Sequence, residues 1–82
     1  MSDSTITMYG TPWCGDCLRA RRFLDSSSVA YTYIDIVSNP EAAQIVEQIN
    51  GGNRSVPTII FPDGSTLTEP SNTELEQKIN AT

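Results

Sequence analysis

Strand-like and helix-like patterns take turns along this 82-residue chain, and that alternation limits the folds open to it more than any single residue does. Residues 5–9 are rich in β-formers, with Ile6 and Met8 on one face. After Gly10-Thr11-Pro12, the spacing of Cys17, Ala20, Phe23 and Leu24 predicts an amphipathic helix that begins near Cys14 and ends in Ser26-Ser27-Ser28. Residues 31–36 form a second strand pattern, Thr32, Ile34 and Ile36 lying opposite Tyr31, Tyr33 and Asp35. Ser38-Asn39-Pro40-Glu41 then opens a helix, with Ser38 or Asn39 as cap, Pro40 in the first turn and Glu41 near the positive end of the dipole. Ala42, Ile45, Val46 and Ile49 give this helix its apolar face, and Gly51-Gly52 stops it.

Residues 58–61 are a third strand, Asp63-Gly64 a hairpin turn, and residues 66–68 a short fourth strand that pairs back. Ser71 with Glu74 has the spacing of a capping box and opens a last helix with Leu75 and Ile79 inward. The order is β-α-β-α-β-β-α, an α/β arrangement. One domain over residues 1–82 is expected, of a size that folds alone with little stability to spare.

At the first strand-to-helix junction stands Trp13-Cys14-Gly15-Asp16-Cys17. Two thiols one helical turn apart can close a small disulfide ring or share a bound partner. These are the only cysteines, and the chain has no histidine, so one chain cannot supply four Cys or Cys/His ligands to zinc. The missing histidine also removes the usual base of a hydrolytic Cys or Ser nucleophile. Redox chemistry survives these exclusions.

A four-residue loop gives little entropic stabilisation, so a purely structural disulfide here explains little. If Cys14 caps the helix, unpaired amides and the positive end of the dipole face its sulfur and favour the thiolate, the attacking species. Cys17, a turn deeper, is then the less accessible resolving or spectator thiol. Asp16 opposes a neighbouring anion. Arg19, Arg21 and Arg22 follow the pair directly and are either a solvated helix face or a basic rim that favours thiolate and acidic partners.

The formal net charge of −5 argues against nucleic-acid or anionic-membrane partners. Met1-Ser2-Asp3-Ser4-Thr5 has no basic or apolar leader character, and no run approaches a membrane span, so a cytoplasmic protein is expected.

With this element order and the C-x-x-C at that junction, the chain resembles the minimal, glutaredoxin-like form of the thioredoxin fold, a four-stranded mixed sheet flanked by three helices. Trp13 to Cys17, the stretch Asn50-Gly51-Gly52-Asn53-Arg54-Ser55-Val56-Pro57-Thr58 and the stretch Asp63-Gly64-Ser65-Thr66-Leu67-Thr68 look most like the mycoredoxins, glutaredoxin-like proteins of actinobacteria. The resemblance implies a thiol–disulfide oxidoreductase with Cys14 and Cys17 as catalytic residues. Its co-substrate would be mycothiol, its clients mycothiolated proteins, and NADPH would enter indirectly through a separate mycothiol disulfide reductase. No tightly bound cofactor, no metal and a monomer are expected.

By pattern alone Pro57 is a trans proline at the start of a strand. The resemblance implies instead that Val56-Pro57 is the cis-proline loop opposite the nucleophile, the Val56 backbone N–H and C=O binding the extended substrate. Trp13 and Tyr9 are candidates for the groove wall, Tyr9 equally for core. Arg19, Arg54 and Ser71 complete the candidate substrate-binding set, Ser71 through the helix amides that follow it.

Glutathione-selective glutaredoxins commonly carry a Gly-Gly and a polar-acidic pair before the last helix. Here that stretch reads Leu67-Thr68-Glu69-Pro70-Ser71-Asn72, and Glu69 would repel a substrate carboxylate. This departure fits a sugar-bearing thiol without a free carboxylate, such as mycothiol. Two rivals stand beside this reading. One is a dithiol electron donor reduced by thioredoxin reductase and serving ribonucleotide reductase, although the chain lacks the Trp-Ser-Gly-Phe-Arg-Pro stretch of that group. The other is an iron–sulfur module shared between two chains.

Overall fold

The computed structural model describes residues 5–80. Residues 1–4, part of the stretch read for a leader, lie outside them. The elements are β1 (Ile6–Gly10), α1 (Gly15–Ser26), β2 (Tyr31–Asp35), α2 (Pro40–Ile49), β3 (Thr58–Ile60), β4 (Thr66–Thr68) and α3 (Asn72–Asn80). They build one mixed sheet in the order β2-β1-β3-β4. β1 and β2 run parallel, Ile6 opposite Tyr31 and Gly10 opposite Asp35. A parallel pair needs a crossover, which α1 supplies. β3 is antiparallel to β1 and returns through the hairpin to β4.

The period of two along each strand divides the core between the faces of the sheet. On the side of α1 and α3, Ala20, Leu24 and Leu75 of the helices pack with Ile6, Met8, Ile59 and Phe61. Under α2 lie Tyr9, Ile36, Ala42, Ala43 and Val46, with Val56 packed against them. Tyr9, 6% exposed, is therefore core.

The hairpin turn forms as expected, with Gly64 at φ +88° and its N–H donating to Phe61 O. Lys78 Nζ reaches Asp63 Oδ2 at 2.7 Å and joins α3 to this turn, holding the Asp63 carboxyl well below the usual carboxylate range. The capping box also forms. Ser71 Oγ accepts the Glu74 N–H at 3.1 Å, and Glu74 Oε1 accepts the Ser71 N–H at 2.8 Å.

Several local expectations need correction. β1 runs one residue further, through Gly10, because β2 is there to pair with it, while Ile36 and Phe61 fall just outside their strands although both are buried. Asn39 occupies the N-cap of α2 without capping it: its Nδ2 donates to Asp35 O at 2.8 Å. Ser38 Oγ likewise donates to Asp35 Oδ2 at 3.3 Å. Ile45 is 40% exposed, because α2 approaches the sheet through Ala42, Ala43 and Val46. Among the described residues, no helix is long and apolar enough to cross a membrane.

Candidate active site

From the end of β1 the chain turns through Thr11-Pro12-Trp13 into Cys14, the N-cap of α1, with extended backbone at φ −87° and ψ 111°. Its Sγ accepts the Cys17 N–H at 3.1 Å, the place that a Ser or Asp oxygen takes at an ordinary N-cap. An amide donor and the positive end of the helix thus meet a sulfur in place of an oxygen. Asp16, which would oppose that charge, leans toward Arg19 Nε at 3.8 Å.

Opposite the sulfur, the Val56-Pro57 peptide bond is cis, and Cys14 Sγ lies 3.8 Å from Val56 O. This loop is braced by residues that follow α2 and β4 and by β3 itself. Glu69 N–H donates to Pro57 O at 2.8 Å. Asn50 Nδ2 donates to Val46 O and to Thr58 Oγ1, both at 3.0 Å, while its Oδ1 accepts the Thr68 hydroxyl at 2.6 Å. Thr58 Oγ1 in turn donates to Ser55 O at 2.7 Å. Sequence reasoning missed Asn50 and Thr58 as braces. The one local signal is an amide side chain at a helix end, and nothing in it foretells the strand residues it would meet.

Cys17 is 1% exposed. Burial pushes its thiol up to about 12, helped by the hydrogen bond with Cys14. Gly10 makes room for it: a Cβ there would stand 2.8 Å from Cys17 Sγ and 2.6 Å from Tyr33 Oη. Tyr33 donates its hydroxyl to Thr11 O at 3.3 Å, and the Arg21 guanidinium stacks on its ring at 4.1 Å. Both cysteines are free thiols.

Trp13, 75% exposed, stands between two grooves that share it and Thr11. One, of about 360 Å³, is walled by Cys14, Leu18, Arg21 and Tyr33. The other, of about 470 Å³, is walled by Val37, Pro40, Ala43, Arg54 and Val56.

The structure therefore brings Trp13, Cys14, Cys17, Val56, Pro57 and Arg54 together. Arg54 also pairs through Nε with Glu47. Arg19 and Ser71 stand at the α1–α3 contact instead: Arg19 Nη1 donates to Asn72 Oδ1 at 2.7 Å and Nη2 to Pro70 O at 2.9 Å, and Ser71 closes its own capping box.

A half-exposed thiol capping a helix, a buried thiol one turn on and a cis-proline loop across from them, all on this mixed sheet, define a thiol–disulfide oxidoreductase of the thioredoxin fold. The Glutaredoxin family model matches residues 6–65, and the chain belongs to the glutaredoxin family. A Mycobacterium tuberculosis protein named as a glutaredoxin is 48% identical over 79 residues, 96% of this chain and 94% of that one. Mycoredoxin 1 of Corynebacterium glutamicum is 38% identical over 78 residues, 95% and 96% of the two chains. These relatives make the chain mycoredoxin-like. Among solved structures, the glutaredoxin of Archaeoglobus fulgidus superposes with a TM-score of 0.80 at 25% identity, covering 93% of this chain and 86% of that one. The thioredoxin-like protein BC3987 gives 0.79 at 26% identity, over 89% and 97%.

Proposed function

We propose that this protein removes mycothiol from protein–mycothiol mixed disulfides, with Cys14 as the nucleophile and without need of Cys17. The Cys14 thiolate attacks the mycothiol sulfur. A Cys14–mycothiol disulfide forms, and the protein thiolate leaves and takes up a proton. A second mycothiol thiolate then attacks the mycothiol sulfur of that intermediate, releasing Cys14 and forming mycothiol disulfide, which a separate reductase returns to thiol with NADPH.

The observation that carries this reading is the contrast at the helix start: Cys14 is half-exposed and faces Val56, while Cys17 is buried. Burial favours the protonated form of the Cys17 thiol, so its attack on a Cys14 mixed disulfide is slow. The Val56 backbone binds the extended substrate, with Trp13 and Arg54 beside it and Pro57 fixing the loop. Arg19 and Ser71 act at the margin by holding residues 69–72.

Mycothiol is favoured over glutathione because the backbone N–H of Glu69 donates to Pro57 O and so sets this residue at the edge of the loop, where a carboxylate side chain suits a substrate hydroxyl better than a substrate carboxylate. The relative named Mycoredoxin 1 supports the same choice. The protein works as a cytoplasmic monomer of one domain, with no tightly bound cofactor and no nucleic-acid or membrane partner.

The test is NADPH-coupled reduction of a small mixed disulfide with three reductant systems: mycothiol and its disulfide reductase, glutathione and its reductase, and thioredoxin reductase alone. Turnover with mycothiol, and little with the other two, is expected. Turnover with thioredoxin reductase alone would make the protein a dithiol electron donor and end this reading.

A further inference from the structure

The geometry points to a docking face for client proteins on the outer side of α1, formed by Trp13, Leu18, Arg21 and Arg22 and fitted to a segment that carries carboxylates beside the modified cysteine. This deepens the proposed function and rests on it for the division of the substrate. With the mycothiol half held along Val56, the flank left to the protein half is the groove of Leu18, Arg21 and Tyr33.

Charge singles out this flank. α1 holds three of the five cations of the chain against two of its ten carboxylates, on a molecule of net charge −5. The other cations are engaged elsewhere: Arg54 with Glu47, Lys78 with Asp63. Within α1, Arg19 is tied to Asp16, Asn72 and Pro70. Among the described residues, neither Arg21 nor Arg22 forms an ion pair. Arg21 is held flat on Tyr33 beside the groove, and Arg22 is exposed one turn beyond Leu18 on the same side of the helix. Asp25 lies further along and accepts the Tyr31 hydroxyl, at the end of α1 away from Cys14.

Next to these charges are two large apolar side chains left in solvent, Trp13 at 75% and Leu18 at 48%. Apolar anchors rimmed by guanidinium groups outside any ion pair suit a partner that is apolar next to its cysteine and acidic beyond it. The second groove differs. It is walled by Val37, Pro40, Ala43 and Val56, and its one cation is already paired.

Trp13 is the only tryptophan, so its fluorescence reports docking whether or not the thiols react. Peptides with serine in place of the target cysteine, flanked by Glu or by Lys, are titrated against the full chain. The same peptides with cysteine, as mycothiol mixed disulfides, are assayed for turnover relative to a small mixed disulfide. The acidic peptide is expected to bind and turn over about fivefold better than the basic one at low salt. That preference shrinks toward unity at high salt and is lost or reversed in Arg22→Glu. Equal affinities, or a preference that survives both high salt and Arg22→Glu, would overturn the docking face. Acidic preference in binding without turnover of any mycothiol disulfide would leave the docking face standing and overturn the proposed reaction instead.

Discussion

Cys14 and Cys17 are separated by one turn of α1 and by a complete change of surroundings. The mouth of the helix gives Cys14 an amide hydrogen bond, a facing carbonyl at Val56 and a place in the wall of an open groove. The slot below gives Cys17 the α-carbon of Gly10, the edge of Tyr33 and almost no solvent. Identical side chains in one four-residue motif thus receive different chemistry. The difference comes from where the helix starts on the sheet, and little of it from the residues between the sulfurs.

The largest consequence of this contrast is expected in alkali. A thiol whose folded value is raised to about 12 from an ordinary 9 stabilises the fold fully below pH 9. Between those values the unfolded chain gives up the proton that the native state keeps, so stability falls as pH rises. Tyr33, also pushed up by burial, adds in the same direction at higher pH. Denaturant melts of the reduced protein should lose about 1.4 kcal/mol per pH unit from this one group between pH 9 and 11. Cys17→Ala, whatever its own cost at neutral pH, should lack that decline. An equal alkaline decline in both proteins would show that the slot does not hold the proton.

A smaller effect is expected from filling the slot. In Gly10→Ala the new methyl would lie 2.6 Å from Tyr33 Oη and 2.8 Å from Cys17 Sγ, so the stiff ring or the buried sulfur must shift. Overpacking of this kind costs about 2 kcal/mol. A thermal or denaturant melt within experimental error of wild type would mean that Gly10 is not what fits Cys17 beneath the sheet.

What is readable in the sequence is what short-range chemistry decides. Cys14 as helix cap, the Ser71–Glu74 box and the Asp63-Gly64 turn each depend on neighbours within three or four residues, and all three appear in place. Strand ends are less readable because a strand ends where its partner does, as Gly10 opposite Asp35 illustrates. Asn39 and Ile45 defeat the cap and periodicity rules in different ways: Asn39 turns back to Asp35 O four residues earlier, and α2 approaches the sheet closely through alanines. The cis bond at Val56-Pro57 is reached through family resemblance, pattern alone pointing to trans. Tyr33 carries no sign of its place in the sequence, and Asn50 only that of an amide at a helix end. Tyr33 meets Gly10 and Cys17 through the parallel pairing of β2 with β1, and Asn50 meets Thr58 and Thr68 only once the hairpin has closed beside α2.

In the proposed reaction the exposed thiol does the chemistry and the buried one is dispensable. The most direct test of this is the steady-state rate of mycothiol-dependent turnover in Cys14→Ser and Cys17→Ser, each compared with wild type. Cys14→Ser is expected to lose turnover by about 10³-fold or more, while Cys17→Ser stays within about threefold of wild type. Abolished turnover in a folded Cys17→Ser would contradict this and make closure of the Cys14–Cys17 bond an obligatory step.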